Sequence, residues 1–274
     1  MENALRDLTE KTGVPAHIVL DSASNIKKGV LDFMAKNSGT RHTYDATHKA
    51  GILLKHHLEN DSRWKALSRK MWMAKRNILF TSLGFMAPPK PKDKARWLNL
   101  DVYLNWLGKA LEFRQNRSNA DESMIYDDKL RWIDEFSSSL PEWRKMLAML
   151  DMLKKEIKTN GLRKDTPVRF DAISSDIVLS TRRLHTLKKE IMVYLEEEST
   201  GMKDNEVLLG SSDIIESVFG RYKGFSGKTP MKEVGRALLT MPVFTGNFNM
   251  AEVKTAMETV SAKDADDWVR QNVG

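Results

Sequence analysis

HIVLDSASNIKKGVLDFMAKNSGTRHTYDATHKAGILLKHHL, residues 17–58, alternates two short runs with two stretches of helical spacing. His17–Asp21 is short and carries the β-branched pair Ile18 and Val19, so it reads as a buried strand. From Ser24 to Met34, Ile26, Val30, Leu31, Phe33 and Met34 recur at helical spacing, and Asn37–Gly39 is a turn. Arg41–Asp45 is a second strand candidate, followed by a helix over Ala46–Leu58 with Ile52, Leu53, Leu54 and Leu58. Strand, helix, strand, helix is the pattern of a parallel pair with a crossover helix. Both strands end in an acid, Asp21 and Asp45. Ligands of open α/β sheets bind beyond the carboxyl ends of the strands, and carboxylate oxygens suit Mg²⁺ or Mn²⁺. Asp21 also reads as a cap for the helix that follows it, and on spacing alone that reading comes first.

Outward from this unit the pattern changes. Residues 2–12 read as a helix stopped by Gly13 and Pro15. Beyond residue 61 helical spacing dominates, over 62–84, 98–115, 122–139, 142–160 and 170–199, with a Pro/Lys linker at 87–94. Trp143, Met146, Leu150, Leu153 and Ile157 form one apolar stripe, and Ile173, Ile177, Leu184, Leu187, Ile191 and Leu195 another. With Gly161 and Pro167 between them, an antiparallel hairpin is the expected arrangement. A Gly-rich turn, a helix opening near Pro230, and two short helices over 249–260 and 262–273 follow.

The chain of 274 residues carries a net charge of +7, unevenly spread. Residues 61–97 hold ten Lys or Arg, among them Arg63, Lys65, Arg69, Lys70, Lys75 and Arg76, against Asp61 and Asp93. Trp64, Trp72 and Trp97 are interleaved with them. Basic residues mixed with aromatics are a footprint for a polyanion, nucleic acid above all, or else a solvated helix face. Residues 190–217 are acidic, from Glu190 to Glu216, with Lys203 alone opposing. There is no cysteine, which excludes disulfides and thiolate metal sites and agrees with a reducing compartment. No leader-like apolar core or membrane-length apolar run occurs, so a cytoplasmic protein without membrane contact is expected. The P-loop, dinucleotide, zinc-protease and nucleophile-elbow motifs are missing. His56 and His57 are adjacent on a helix and point in different directions, which argues against a shared metal.

One more stretch bears on function: SSDIIESVFGRYKG, residues 211–224. Glu216 interrupts the apolar run Ile214–Phe219, and Lys223 lies two helical turns further on, on the same side. VLDSASNIKKGV, YDATHKAGILLK and Glu216-x6-Lys223 together resemble the bacterial insertion-sequence DDE transposases, whose catalytic domain is RNase H-like. The resemblance implies a predominantly helical α+β chain: a partial RNase H-like core interrupted by a large all-α insertion. Residues 1–60 would be the partial core, 61–205 the insertion, and 206–274 the helices completing the core. It also implies metal-dependent DNA cleavage and strand transfer in the intact enzyme, with Asp21 and Glu216 as catalytic ligands of Mg²⁺ or Mn²⁺. Lys223 and Arg221 would contact DNA, as would the basic residues from Arg63 to Arg76. Asp45 would be a neighbour of the site or the N-cap of its helix. In the family three further strands open the sheet, the first carrying the first acid, and nothing before His17 corresponds to them. The family's Tyr and Arg upstream of the glutamate are here Leu209 and Ser212. The expectation is a C-terminal portion, incomplete alone, associated with DNA in the nucleoid and completed by a missing N-terminal half or a homo-oligomer. The alternative is a non-catalytic helical module that binds DNA or protein.

Overall fold

A computed structural model describes all residues except 1, 22–23, 91–96, 98–99, 117–119, 227–248 and 273–274. The helix expected from Pro230 lies outside the described residues. The chain is α+β and predominantly helical, and it divides into two compact units, 1–211 and 212–274.

The first unit opens with α1 (Glu2–Thr12), whose Glu2 and Lys11 complement the helix dipole. Gly13, at φ 84°, ends it with its N–H on the Thr9 carbonyl at 2.9 Å, a left-handed cap that suits glycine. Then come β1 (His17–Leu20), α2 (Ser24–Lys36), β2 (Arg41–Tyr44) and α3 (Ala46–Leu58). The strands pair in parallel, His17 with Arg41 through Leu20 with Tyr44. Residues 1–60 and 61–205, distinguished by their patterning, share one hydrophobic core that runs from Ala46 to Met202.

The helical part holds α4 (Ser62–Ile78), α5 (Leu100–Asn116), α6 (Ala120–Lys129), α7 (Leu140–Asn160), α8 (Thr166–Ile173) and α9 (Arg182–Ser199). Three expected helices are shorter than their apolar spacing suggests. The first stops at Ile78, where Thr81 directs both its N–H and its hydroxyl to the Ile78 carbonyl. The span 122–139 breaks after Lys129, whose carbonyl takes the Trp132 indole N–H, and continues as a 3-10 turn over Arg131–Phe136. The span 170–199 is two helices, because residues 174–181 leave helical geometry and Lys145 holds the Val178 carbonyl at 2.9 Å.

That last break overturns the antiparallel hairpin. Thr181 and Arg183, at the start of α9, bond Glu142 at the start of α7. At the other end, Ser199 donates to the Arg163 carbonyl just past the end of α7. The helices α7 and α9 therefore run parallel, with α8 and the 174–181 segment carrying the chain back. Gly161, at φ 69°, caps α7, and a Cβ there would stand 2.5 Å from Val207 Cγ1. That close approach admits the antiparallel bridge between Leu162 and Leu208.

The second unit contains α10 (Asp213–Ser226), α11 (Met250–Thr259) and α12 (Ala262–Asn272). Asn249 and Glu252 close a capping box on α11. No described side chain of this unit is fully buried, and Trp268 is exposed, as expected of a solvated terminal helix.

Candidate nucleic-acid interface and strand-end site

The paired register sets Asp21 and Asp45 at the same carboxyl-terminal edge, each following a member of the Leu20–Tyr44 pair. They differ in what they do there. Asp45 is 1% exposed; its N–H continues the ladder to the Leu20 carbonyl and its carboxylate accepts the His48 N–H at 2.9 Å. It is the N-cap of α3. Asp21 is half-buried between β1 and α2.

The outer edge of β2 is covered from α9, a contact absent from local sequence spacing. Tyr44 donates its N–H to Glu198 Oε2 at 3.0 Å, and its carbonyl accepts the Tyr194 hydroxyl at 2.7 Å. Burial first, then the negative charges of Glu198 and Asp45, raises the Tyr194 pKa, so the phenol stays a donor. Lys49 lies 5.5 Å from the Tyr194 ring centroid. Burial also raises the Glu198 pKa, opposed by the Tyr44 N–H and by Lys49 and Lys27. The folded protein thus holds this proton more tightly than the unfolded chain does. The resulting stabilisation is complete below the ordinary glutamate range and is lost as pH rises through the raised value. Glu198→Gln keeps the acceptor and removes the titration. The Tm of this variant is expected to match wild type near pH 4 and to exceed it increasingly towards pH 7. His17 and His42, lowered chiefly by burial, shift stability in the opposite direction in both proteins and cancel in the difference. A Tm difference that stays constant from pH 4 to 7 would refute the assignment to Glu198.

Glu216 lies in the first turn of α10, exposed, with Ser212 Oγ donating to it at 3.2 Å. Ile215 and Phe219 beside it are 60% and 44% exposed themselves, whereas Val218 is half-buried. Arg221 is also exposed on α10, while the side chain of Lys223 lies outside the description.

The basic segment separates into two faces of α4. Arg63 donates to Ser138 and Ser139 ahead of α7, and Lys70 pairs with Glu135 at 2.6 Å beneath the rings of Trp132 and Phe136. These two cations serve the fold. Lys65, Arg69, Trp72 and Arg76 follow one another at intervals of four, three and four residues, one exposed stripe, with Lys75 half-buried beside it. Arg76 sits 5.7 Å from the Trp72 ring centroid. Lys65 and Arg69 rim a cavity of about 750 Å³ walled by Trp64, Met71, Trp72, Trp97 and Tyr103. Trp72 is 60% exposed, a large apolar surface left to solvent among cations.

Compared with known protein families, characterised proteins and solved structures, the chain finds no match.

A cluster that the spacing argument discounted also forms. His56 and His57, at the end of α3, both reach Glu190 of α9, with His57 Nε2 at 2.7 Å from Oε2 and His56 Nδ1 at 3.4 Å from Oε1. Adjacent helical positions do diverge, but a carboxylate with two oxygens on a facing helix reaches both. No local signal marks this, since Glu190 is 133 residues away from His57. Among the described residues no helix is long and apolar enough to cross a membrane.

Proposed function

We propose that this chain is a transposase-derived, DNA-associated protein of the cytoplasm and nucleoid, with a partial RNase H-like core and a helical insertion that carries a DNA-binding face. The observation that carries the DNA reading is the stripe Lys65, Arg69, Trp72 and Arg76 along an aromatic cavity. Cations spaced along one face offer phosphate contacts, and the exposed indole of Trp72 offers a stacking surface for a base. The transposase reading rests on the segments VLDSASNIKKGV, YDATHKAGILLK and Glu216-x6-Lys223, and is supported by two strand-end acids on one edge of a parallel pair.

In this reading Asp21 and Glu216 are the carboxylates that would take Mg²⁺ or Mn²⁺, supplying charge stabilisation for phosphoryl transfer. The donors present fit such a site only in part. The Asp45 carboxylate is committed to the His48 N–H, and within the first unit no three described carboxylates converge. No catalytic step is assigned to this chain alone. The same commitment of Asp45 favours the second reading, a non-catalytic helical binding module, for which the cationic stripe has the same role.

The test is fluorescence anisotropy of labelled duplex DNA titrated with the protein across a salt series. The expected result is binding whose log affinity falls linearly with log salt, by about 0.9 per phosphate neutralised. Binding that is undetectable at low salt, or a slope near zero, would remove nucleic acid as the partner and leave an acidic protein surface in its place.

A further inference from the structure

We propose that His56, His57 and Glu190 form a binding site for a divalent transition-metal ion, zinc in the first instance, that pins α3 to α9. The site is separate from the carboxylates and the basic stripe and does not depend on the DNA reading. One nitrogen from each imidazole and one Glu190 oxygen lie within 4.8 Å of one another. Ligands about 2.0–2.1 Å from a tetrahedral zinc ion stand about 3.4 Å apart. The His56 Nδ1 to Glu190 Oε1 distance is already 3.4 Å. The 2.7 Å contact from His57 Nε2 to Glu190 Oε2 is a hydrogen bond that yields as the ion enters. Two imidazoles and one carboxylate suit Zn²⁺, Co²⁺ or Ni²⁺, whereas Mg²⁺ and Ca²⁺ take all-oxygen sets. The His57 side chain is 8% exposed and held in place, while that of His56 is 70% exposed, so the ion has an open approach with room for water ligands.

The position gives the ion a structural consequence. His57 meets Glu190, whereas the residues just before α3 meet Tyr194 and Glu198, so α3 and α9 run antiparallel. Tyr194 lies one turn beyond Glu190, and Glu198 one turn beyond that. A metal at Glu190 therefore fixes the helix pair whose far end holds Tyr44 and the edge of β2.

The test uses the untagged full chain, freed of metal by a chelator and dialysis. It is titrated with zinc chloride by calorimetry near pH 7, and its Tm is followed in parallel. One saturable equivalent is expected, with a Tm that rises with zinc concentration and is unchanged by the same concentration of magnesium. His56→Ala, at an exposed position, is expected to keep the metal-free Tm and to weaken zinc binding at least tenfold. That is the low end of the roughly 10- to 100-fold that loss of a mere supporting partner costs. Glu190→Gln is expected to weaken zinc binding likewise. The absence of a saturable zinc equivalent, zinc binding undiminished in either variant, or an equal response to magnesium would each overturn the proposal.

Discussion

Trp143→Ala is expected to lower the stability of the first unit by about 3–5 kcal/mol, the range for deleting a large buried aromatic. Trp143 is 1% exposed and joins three elements. Its ring meets Trp64 of α4 edge-on with centroids 5.3 Å apart, and stacks on Phe136 of the 3-10 turn at 6.4 Å. Removing it opens a cavity between walls that belong to separate helices and have little freedom to close. Its indole nitrogen, in contrast, is buried without a hydrogen-bond partner among the described residues. Trp143→Phe retains much of the ring and relieves that unpaired donor, so its cost is expected to be less than half that of the alanine variant. Urea titrations followed by far-UV circular dichroism measure both. A Trp143→Ala midpoint equal to wild type would contradict the packing described.

The combined variant Lys65→Ala, Arg69→Ala and Arg76→Ala is expected to flatten the salt dependence of DNA binding by about 2.7 units of log–log slope, three phosphate contacts at about 0.9 each. The paired variant Arg63→Ala and Lys70→Ala removes two positive charges against three. It is expected to leave the slope unchanged, because those side chains already answer to Ser138, Ser139 and Glu135. Anisotropy titrations of one labelled duplex between roughly 50 and 200 mM salt separate the two sets. Equal flattening by both would mean that net charge, rather than the stripe beside Trp72, attracts the polyanion.

The strand–helix unit was legible because its signals are local. Ile18 and Val19 favour a strand, and Asp45 caps a helix whose observed bounds, Ala46–Leu58, equal those expected from spacing. The predominance of helix beyond residue 61 was legible for the same reason. The breaks were not. Apolar spacing runs unbroken from Ile173 through Ile177 to Leu184, and what interrupts the helix there includes the Lys145 bond to the Val178 carbonyl, from 33 residues away. The basic run was readable as charge, but its division into structural and solvent-facing cations needed the positions of Glu135 and Ser139. Glu216 reads in the sequence as a charge set into an apolar run, but its neighbours Ile215 and Phe219 are exposed, which spacing alone does not show.

Covering the β2 edge with α9 ties the beginning of the first unit to its end in time as well as in space. Tyr44 and its partner Glu198 are separated by 154 residues. At synthesis rates of about 5–20 residues per second, the strand pair leaves the ribosome roughly eight to thirty seconds before the helix that satisfies it. For that interval the Tyr44 N–H and carbonyl face solvent on an open strand edge, the kind of edge that recruits other chains. The nascent N-terminal segment is therefore the vulnerable stage of biogenesis. A fragment ending before α9 is expected to accumulate as aggregate rather than as a small folded domain.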